Sequence, residues 1–534
     1  MPDSWPSGTE APEPRPRLAD AWSPVSVLAF GIAAVILFYH SEHFQMIVDD
    51  AFISLRYARN WVEGKGLVFN PGERVEGYSD FLWVVLLAAA MKLKLNGLVA
   101  ARFLGLGFAI GSLWLAARFS RLISGRARPG DVLAALFLSF SGAFALWAGA
   151  GLENGLFTFL VLLGQVLFLR GNEKPAFARG LGWGFLFVLA TLTRPDGGLF
   201  FLAGLALRLF QLRQGNARAR WQEALGASLA FAVPLGIHLL WRLSYYGEWV
   251  PNTFFVKAGT GAAQLQWGLS YAEDFVSLYS PLVLAPLLLL ATLRKLEPEE
   301  IALLVFGGLY LLYVTVIGGD RVFPYFRFFM VILPNLYLLI GRGVETAGRV
   351  MAERTSSLRA GAGLGVFLVV LATLSLRAST GNDPWSVVQD NNRTREDGIK
   401  IGRWLAATYP PTTWIAMSRC GVIPYYSGLP TIDLLGLTDL HIGRASGTGL
   451  EHLPGHGKHD FRYALERQPT LIFYWDNLFA RPPLQLGFSR VQPGLVGFQE
   501  LADPEVRARF EREYQFQIAP IAGGFAGFFQ RVQR

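Results

Sequence analysis

The stretch Phe81-Leu82-Trp83-Val84-Val85-Leu86-Leu87-Ala88-Ala89-Ala90-Met91-Lys92-Leu93 decides how the chain is read. It is apolar almost throughout, yet it is only about a dozen residues long. At 1.5 Å per residue such a helix covers roughly 20 Å, short of the roughly 30 Å hydrocarbon core of a bilayer. The basic residues downstream supply a second test. If the stretch crosses the membrane, the cluster Arg118, Arg121, Arg126 and Arg128 falls outside. If it lies flat on the outer surface, that cluster falls inside, and so does every later burst: Arg170, Lys174 and Arg179; Arg213, Arg218 and Arg220; Arg294 and Lys295; Arg342, Arg349, Arg354 and Arg359. Lys and Arg concentrate in cytoplasmic loops, so the flat placement of an interfacial helix is expected.

Around that decision the rest of the chain falls into order. Spans are expected at roughly 23–40, 98–117, 131–149, 155–169, 181–193, 198–212, 226–244, 278–293, 301–317, 325–341 and 361–377. The N-terminal tail (1–22), with Arg15 and Arg17, is expected in the cytoplasm, and the odd count of eleven then delivers everything after the last span outside. The tail is rich in Pro and polar residues, lacks the pattern of a signal peptide and is expected to be disordered. Composition agrees with a membrane protein: of 534 residues, 52 % are hydrophobic and 16 % charged, with mean hydropathy +0.34. A soluble domain carries about 25 % charged residues. The net charge of +8 comes as short bursts between apolar runs, which excludes nucleic acid as the natural partner. The single Cys420 excludes a disulfide framework and a Cys-based metal site, and reads as an inert apolar side chain.

After about residue 377 charge and turn signals return, including Gly381-Asn382-Asp383-Pro384 and Tyr409-Pro410-Pro411. Strand-like runs Thr413–Met417 and Thr470–Trp475 and a helical stretch from Glu396 to Tyr409 predict an α/β domain over 378–534. The fold class is thus an α-helical polytopic membrane protein, with outer juxtamembrane helices and a C-terminal α/β extracytoplasmic domain.

With this topology the external loops collect acids and bases. The first loop holds Asp49, Asp50, Arg56, Tyr57, Glu76 and Asp80; later loops hold Glu153, Arg194 and Asp196, Asn252 and Lys257, then Asp320 and Arg327. Ionisable groups at membrane depth are costly and mark function more often than chance. One Asp of the Asp49-Asp50 pair could cap the helix expected over Ala51 to Trp61, but one cap accounts for one acid. Span interiors are nearly free of charge, unlike a transporter, whose ionisable groups lie near mid-bilayer. A sugar carried on a polyprenyl phosphate presents its headgroup at this surface. A carboxylate takes the proton of an attacking acceptor hydroxyl, and Arg and Lys meet the departing phosphate. A second acid orients the acceptor or helps hold a divalent cation through oxygen ligands; the residues require no other cofactor.

Ordered motifs carry a family resemblance: Asp49-Asp50-Ala51-Phe52-Ile53, Arg56-Tyr57-Ala58-Arg59-Asn60, Phe69-Asn70-Pro71-Gly72-Glu73-Arg74, Gly151-Leu152-Glu153, Thr193-Arg194-Pro195-Asp196-Gly197, Pro251-Asn252-Thr253-Phe254, Gly318-Gly319-Asp320, and Pro424-Tyr425-Tyr426-Ser427-Gly428 with Asp433 and Gly436-Leu437-Thr438-Asp439. The chain resembles the GT-C superfamily of polytopic glycosyltransferases, and within it the terminal arabinofuranosyltransferase-like family. The resemblance implies an inverting-type transfer at the outer face of a bacterial inner membrane. The sugar, arabinofuranose among the candidates, passes from a polyprenyl-phosphate donor to an envelope glycan, lipid or protein. It also implies Asp49 as the usual base, with Asp50 as its acidic partner. One departure from the pattern is Tyr78-Ser79-Asp80, which adds a third acid near the site. The alternative readings are a flippase of lipid-linked sugars, which predicts paired halves and mid-bilayer charges, and a non-catalytic scaffold, which the intact acids oppose. The motif Pro424 to Asp439 is open between facing the cavity and forming a folding core.

Overall fold

The computed structural model describes residues 24–172, 175–214, 216–257, 262–293, 296–320, 325–354, 370, 384–445, 457–488 and 497–532. The expected tail (1–22) and last span (361–377) lie outside them. The N-terminal part is all helical. In chain order it runs α1 (Pro24–Phe44), α2 (Asp49–Val62), α3 (Phe81–Lys92), α4 (Gly97–Ala117), α5 (Phe119–Ser124), α6 (Pro129–Ser139), α7 (Gly142–Gly149) and α8 (Asn154–Arg170). It continues through α9 (Phe177–Thr193), α10 (Gly197–Phe210), α11 (Ala217–Tyr246), α12 (Asn252–Lys257), α13 (Ala262–Leu293), α14 (Pro298–Val316) and α15 (Leu333–Arg354).

Among the described residues, five segments are long and apolar enough to cross a membrane: Ser26–Phe44, Gly97–Ala117, Ala217–Tyr246, Pro298–Val316 and Arg327–Glu353. The span expected at 131–149 is two helices, α6 and α7, bent by 66° at a short break. Ser141 makes the break, because its hydroxyl accepts from the Phe144 amide and starts a new helix. The shorter expected spans appear as α8, α9 and α10, and the flat segment as the 12-residue α3. This is a multi-pass membrane protein.

Helices in lipid gain little from burying apolar surface against one another, so close backbone approach holds them together. Gly180 and Gly184 of α9 lie against α11: a Cβ on Gly184 would stand 2.3 Å from the Ala227 carbonyl oxygen, and one on Gly180 1.9 Å from that of Glu223. Gly130 and Gly341 bring α6 and α15 together in the same way. Polar pairs lock these crossings. Arg208 and Glu223 meet at 3.0 Å with both side chains fully buried. Arg342, read from sequence as a loop cation, is instead 1 % exposed inside α15. Its guanidinium meets Asp131 at 3.2 Å and Glu299 at 3.2 Å and donates to Ser120 at 2.5 Å. Burial of that charge is tolerated because its partners come with it.

The C-terminal part opens with α16 (Pro384–Thr408), longer than the expected helix, and contains α17 (Val422–Ser427), α18 (Leu440–Arg444), α19 (Phe461–Glu466) and α20 (Pro504–Glu513). Its sheet has the order β2-β1-β3-β5-β4. Strands β1 (Ile415–Met417), β2 (Thr431–Asp433) and β3 (Leu471–Phe473) are parallel, with Ile415 opposite both Thr431 and Leu471. The two strands expected from sequence are β1 and β3. The hairpin β4 (Tyr514–Ile521) and β5 (Gly524–Arg531) closes the edge antiparallel to β3.

Replacing Gly184 by Leu is expected to push α9 off α11 and destabilise the protein by about 1–3 kcal/mol, the usual cost of overpacking. The measurement is a thermal melt in detergent, with Gly236→Leu as control, because Gly236 on α11 has open space around it.

Candidate active site

The first loop is held against the C-terminal domain by buried polar contacts. Arg56, 1 % exposed, donates to the carbonyls of Phe69 (2.8 Å), Pro424 (2.6 Å) and Leu429 (2.8 Å) and to Asn70 Oδ1 (3.3 Å), with Phe69 under its guanidinium. Tyr57 donates to the Val75 carbonyl at 2.6 Å and accepts from the Gly77 amide at 2.9 Å. Asn252 spends its amide on the carbonyls of Gly436, Leu437 and Asp439. Glu76 is paired with Arg242 of α11 at 2.7 Å. Of these four residues, expected at the donor or acceptor, Arg56 and Asn252 join the N-terminal part to the C-terminal domain, while Tyr57 fixes the first loop on itself and Glu76 ties it to α11.

That joint positions Asp49. The residue is the first of α2 and leaves its own helix uncapped: the N-cap is Val48, with no side-chain cap. Its carboxylate points instead at the start of α17, accepting from the Gly421 amide at 2.9 Å and the Val422 amide at 2.8 Å. A Cβ on Gly421 would stand 2.0 Å from the Asp49 carbonyl oxygen and 2.6 Å from its carboxylate, so only glycine permits the contact. Burial pushes the Asp49 carboxyl up to about 6, partly offset by the Val422 amide and raised again by neighbouring Asp50. Each carboxylate oxygen still has a second acceptor site.

Asp50 turns the other way. Its side chain, 38 % exposed, lies 3.6 Å from Arg327, which also meets Asp320 at 2.7 Å and packs over the Trp147 ring. Lys257, at the end of α12, is surrounded by protein yet open to solvent. Crowding lowers its pKa, and the charges acting on it are those of Asp50, Arg327, Arg194 and Asp320. Arg194 is held by Glu153 at 2.8 Å and Asp196 at 3.1 Å, and Tyr310 donates to Asp196 at 2.5 Å. Asp80 accepts from Ser54 at 2.7 Å; its carboxyl is raised by burial and by the charge of Glu153. Eight of the residues expected from the external loops, together with Asp49, therefore form one cluster spread over five chain segments.

Gly421, Val422, Tyr310 and the Arg419–Asp476 pair, whose charges reach Asp49, escaped the sequence reading. A turn signal at Cys420-Gly421 was the only available hint. Among the described residues no group of three or more His, Cys, Asp or Glu is placed to hold a metal ion. The donor set fits one poorly, because the Arg327 guanidinium faces both Asp50 and Asp320 and two backbone amides already donate to Asp49. Asp433 and Asp439 of the second motif fold the domain: Asp433 accepts from the Leu435 and Thr438 amides, and Asp439 caps α18. Buried Cys420 beside Asp433 has its thiol pushed up and kept protonated.

Comparison with known proteins adds relatives to this geometry. Residues 386–523 match a family described as a domain of unknown function (DUF8728). The terminal beta-(1->2)-arabinofuranosyltransferase of Mycobacterium tuberculosis is 31 % identical over 290 residues, 50 % of this chain and 44 % of that protein. The protein of the same description from Corynebacterium glutamicum is 29 % identical over 365 residues, 59 % of this chain and 50 % of that one. The chain thus spans about half the length of the curated relatives it matches. The fold is that of ArnT from Cupriavidus metallidurans, solved bound to undecaprenyl phosphate: the TM-score is 0.59 at 13 % identity, covering 95 % of this chain and 98 % of that one. The chain thus shares its fold with ArnT and, over half or more of its length, is similar in sequence to terminal arabinofuranosyltransferases.

Proposed function

We propose that the protein is an inverting glycosyltransferase of a bacterial inner membrane. It moves a sugar, arabinofuranose by the likeness of its relatives, from a polyprenyl-phosphate donor to an acceptor hydroxyl of the cell envelope. The observation that carries this reading is the divided carboxylate pair: Asp49 fixed by two amides on the C-terminal-domain side, Asp50 turned to Arg327 on the other. In this topology the N-terminus is cytoplasmic, and the cluster and the C-terminal domain are outside.

The division assigns roles. Arg327 and Lys257 receive the charge that builds on the phosphate as its bond to the anomeric carbon breaks. Asp49, facing the side from which an acceptor arrives, takes the proton of the acceptor hydroxyl while its oxygen forms the new bond at that carbon. The lipid phosphate leaves with the electron pair of the broken bond. Asp50 and Asp320 hold Arg327 in place; Glu153 and Asp196 hold Arg194, which shapes the pocket rather than lending a free charge.

Transfer from a panel of polyprenyl-phosphate sugars tests the reading. Asp49→Asn is expected to lower kcat by about 10²–10⁴-fold, the usual worth of a general base, and Asp50→Asn to lower it less while raising donor KM. Unchanged turnover in both variants overturns the mechanism.

Asp49 works as the carboxylate, and its pKa lies near 6. The rate kcat/KM should therefore rise with pH through about 6 and level off above it. Gly421→Ala puts a Cβ against Asp49 and pushes the Gly421 and Val422 amides, which stabilise the charged form, away from its carboxylate, so in a pH–rate profile the acid limb should move to higher pH.

A further inference from the structure

Away from the carboxylate cluster a cleft of about 650 Å³ opens between the first loop and the C-terminal domain. Its walls include Glu73 and Arg74 on one side and Asp439, His441, Tyr463 and Arg467 on the other. We infer that this cleft is a binding site for the growing glycan chain, holding acceptor sugars several units behind the one that reacts; the inference rests on the glycosyltransferase reading above.

Three observations carry it. The first is chemistry suited to a neutral polyhydroxylated ligand. Arg467 meets Glu73 at 2.8 Å, donates to the Tyr463 hydroxyl at 2.9 Å and lies 3.9 Å from Asp439. Planar donors and carboxylate acceptors are thereby presented side by side, the pattern that vicinal hydroxyls read. The second is aromatic surface. The His441 ring stacks on Tyr463 at 4.0 Å and 17°, and Arg467 rests on Trp414 at 4.6 Å. His441 is exposed and its Nε2 contacts Asp460 at 2.9 Å. Two of the wall cations are paired, Arg444 with Glu248 and Arg467 with Glu73, while the exposed Arg74 lies over the Tyr245 ring.

The third observation is position. The loop carbonyls of Gly436, Leu437 and Asp439, which lead into the cleft, are held by Asn252. Asn252 starts α12, and Lys257 in the carboxylate cluster ends it. One six-residue helix, rising about 9 Å, therefore links the loop at the cleft to a residue of the cluster.

The test compares acceptors from a monosaccharide to a hexasaccharide of linear arabinofuranose with the full-length protein in detergent. His441→Ala and Arg74→Ala, both exposed and outside the reacting cluster, are expected to raise KM for the hexasaccharide about tenfold, the scale of one or two lost hydrogen bonds. Their kcat, their KM for the donor and their KM for the monosaccharide should match wild type. An unchanged hexasaccharide KM in both variants, or an equal rise for monosaccharide and hexasaccharide, overturns the inference. Saturation-transfer NMR of the hexasaccharide on the protein without donor reads the cleft independently of catalysis. There a signal present with wild type and lost with His441→Ala supports the site even if no sugar is transferred, and no signal with wild type overturns it.

Discussion

Arg56 is the contact on which the arrangement depends. A permanent cation, 1 % exposed, survives in the interior only if every direction of its guanidinium finds an acceptor. Those acceptors come from two places: Phe69 and Asn70 of its own loop, and Pro424 and Leu429 nearly four hundred residues away in sequence. Separating the two parts of the protein would leave the charge buried and half-satisfied. Asn70 repeats the constraint, its side chain donating to the Thr431 carbonyl and accepting from the Thr431 amide. The loop bearing Asp49 is thus attached to the C-terminal domain as firmly as to its own helices. The turn Gly421-Val422 arrives at the carboxylate as a consequence.

This explains which features were legible in sequence. The membrane class, the short helix at Phe81 and the strands β1 and β3 are composition and periodicity effects, and each appears in the structure. The cluster of Asp50, Asp80, Glu153, Arg194, Asp196, Lys257, Asp320 and Arg327 was legible because charge at a membrane boundary is rare enough to count. Roles within the set were not legible. Arg56 and Arg327 look alike in sequence, yet one is consumed by main-chain carbonyls and the other faces Asp50 and Asp320. Hydrogen-bond partners more than three hundred residues apart leave no local pattern. Helix breaks were equally hidden: nothing in the apolar run 131–149 announces a 66° bend except a serine able to cap.

Charge balance bears on how a cluster so rich in acid would receive the anionic donor proposed above. Its acids are Asp49, Asp50, Asp80, Glu153, Asp196 and Asp320; its bases among the described residues are Arg194, Lys257 and Arg327. Full ionisation would leave the cluster with a surplus of negative charge. The structure relieves this in two ways. Burial raises the carboxyls of Asp49 and Asp80 toward protonation, Asp80 most strongly because Glu153 stands beside it. Pairing then sorts the rest by side: Glu153 and Asp196 neutralise Arg194, while Arg327 balances only part of Asp50 and Asp320.

On that reading Lys257 is placed to answer a new anion. Its ammonium is open to solvent and its pKa is lowered by the protein around it. A phosphate nearby reverses the cause of that lowering, since an adjacent opposite charge favours the protonated amine. On the proposed mechanism the same phosphate would disfavour the charged form of Asp49 and make its carboxylate a stronger base, so that donor binding and base activation would be coupled through one local field. That coupling would depend on Asp49 staying where the amides of Gly421 and Val422 hold it, which gives the C-terminal domain a part in setting the basicity of the carboxylate.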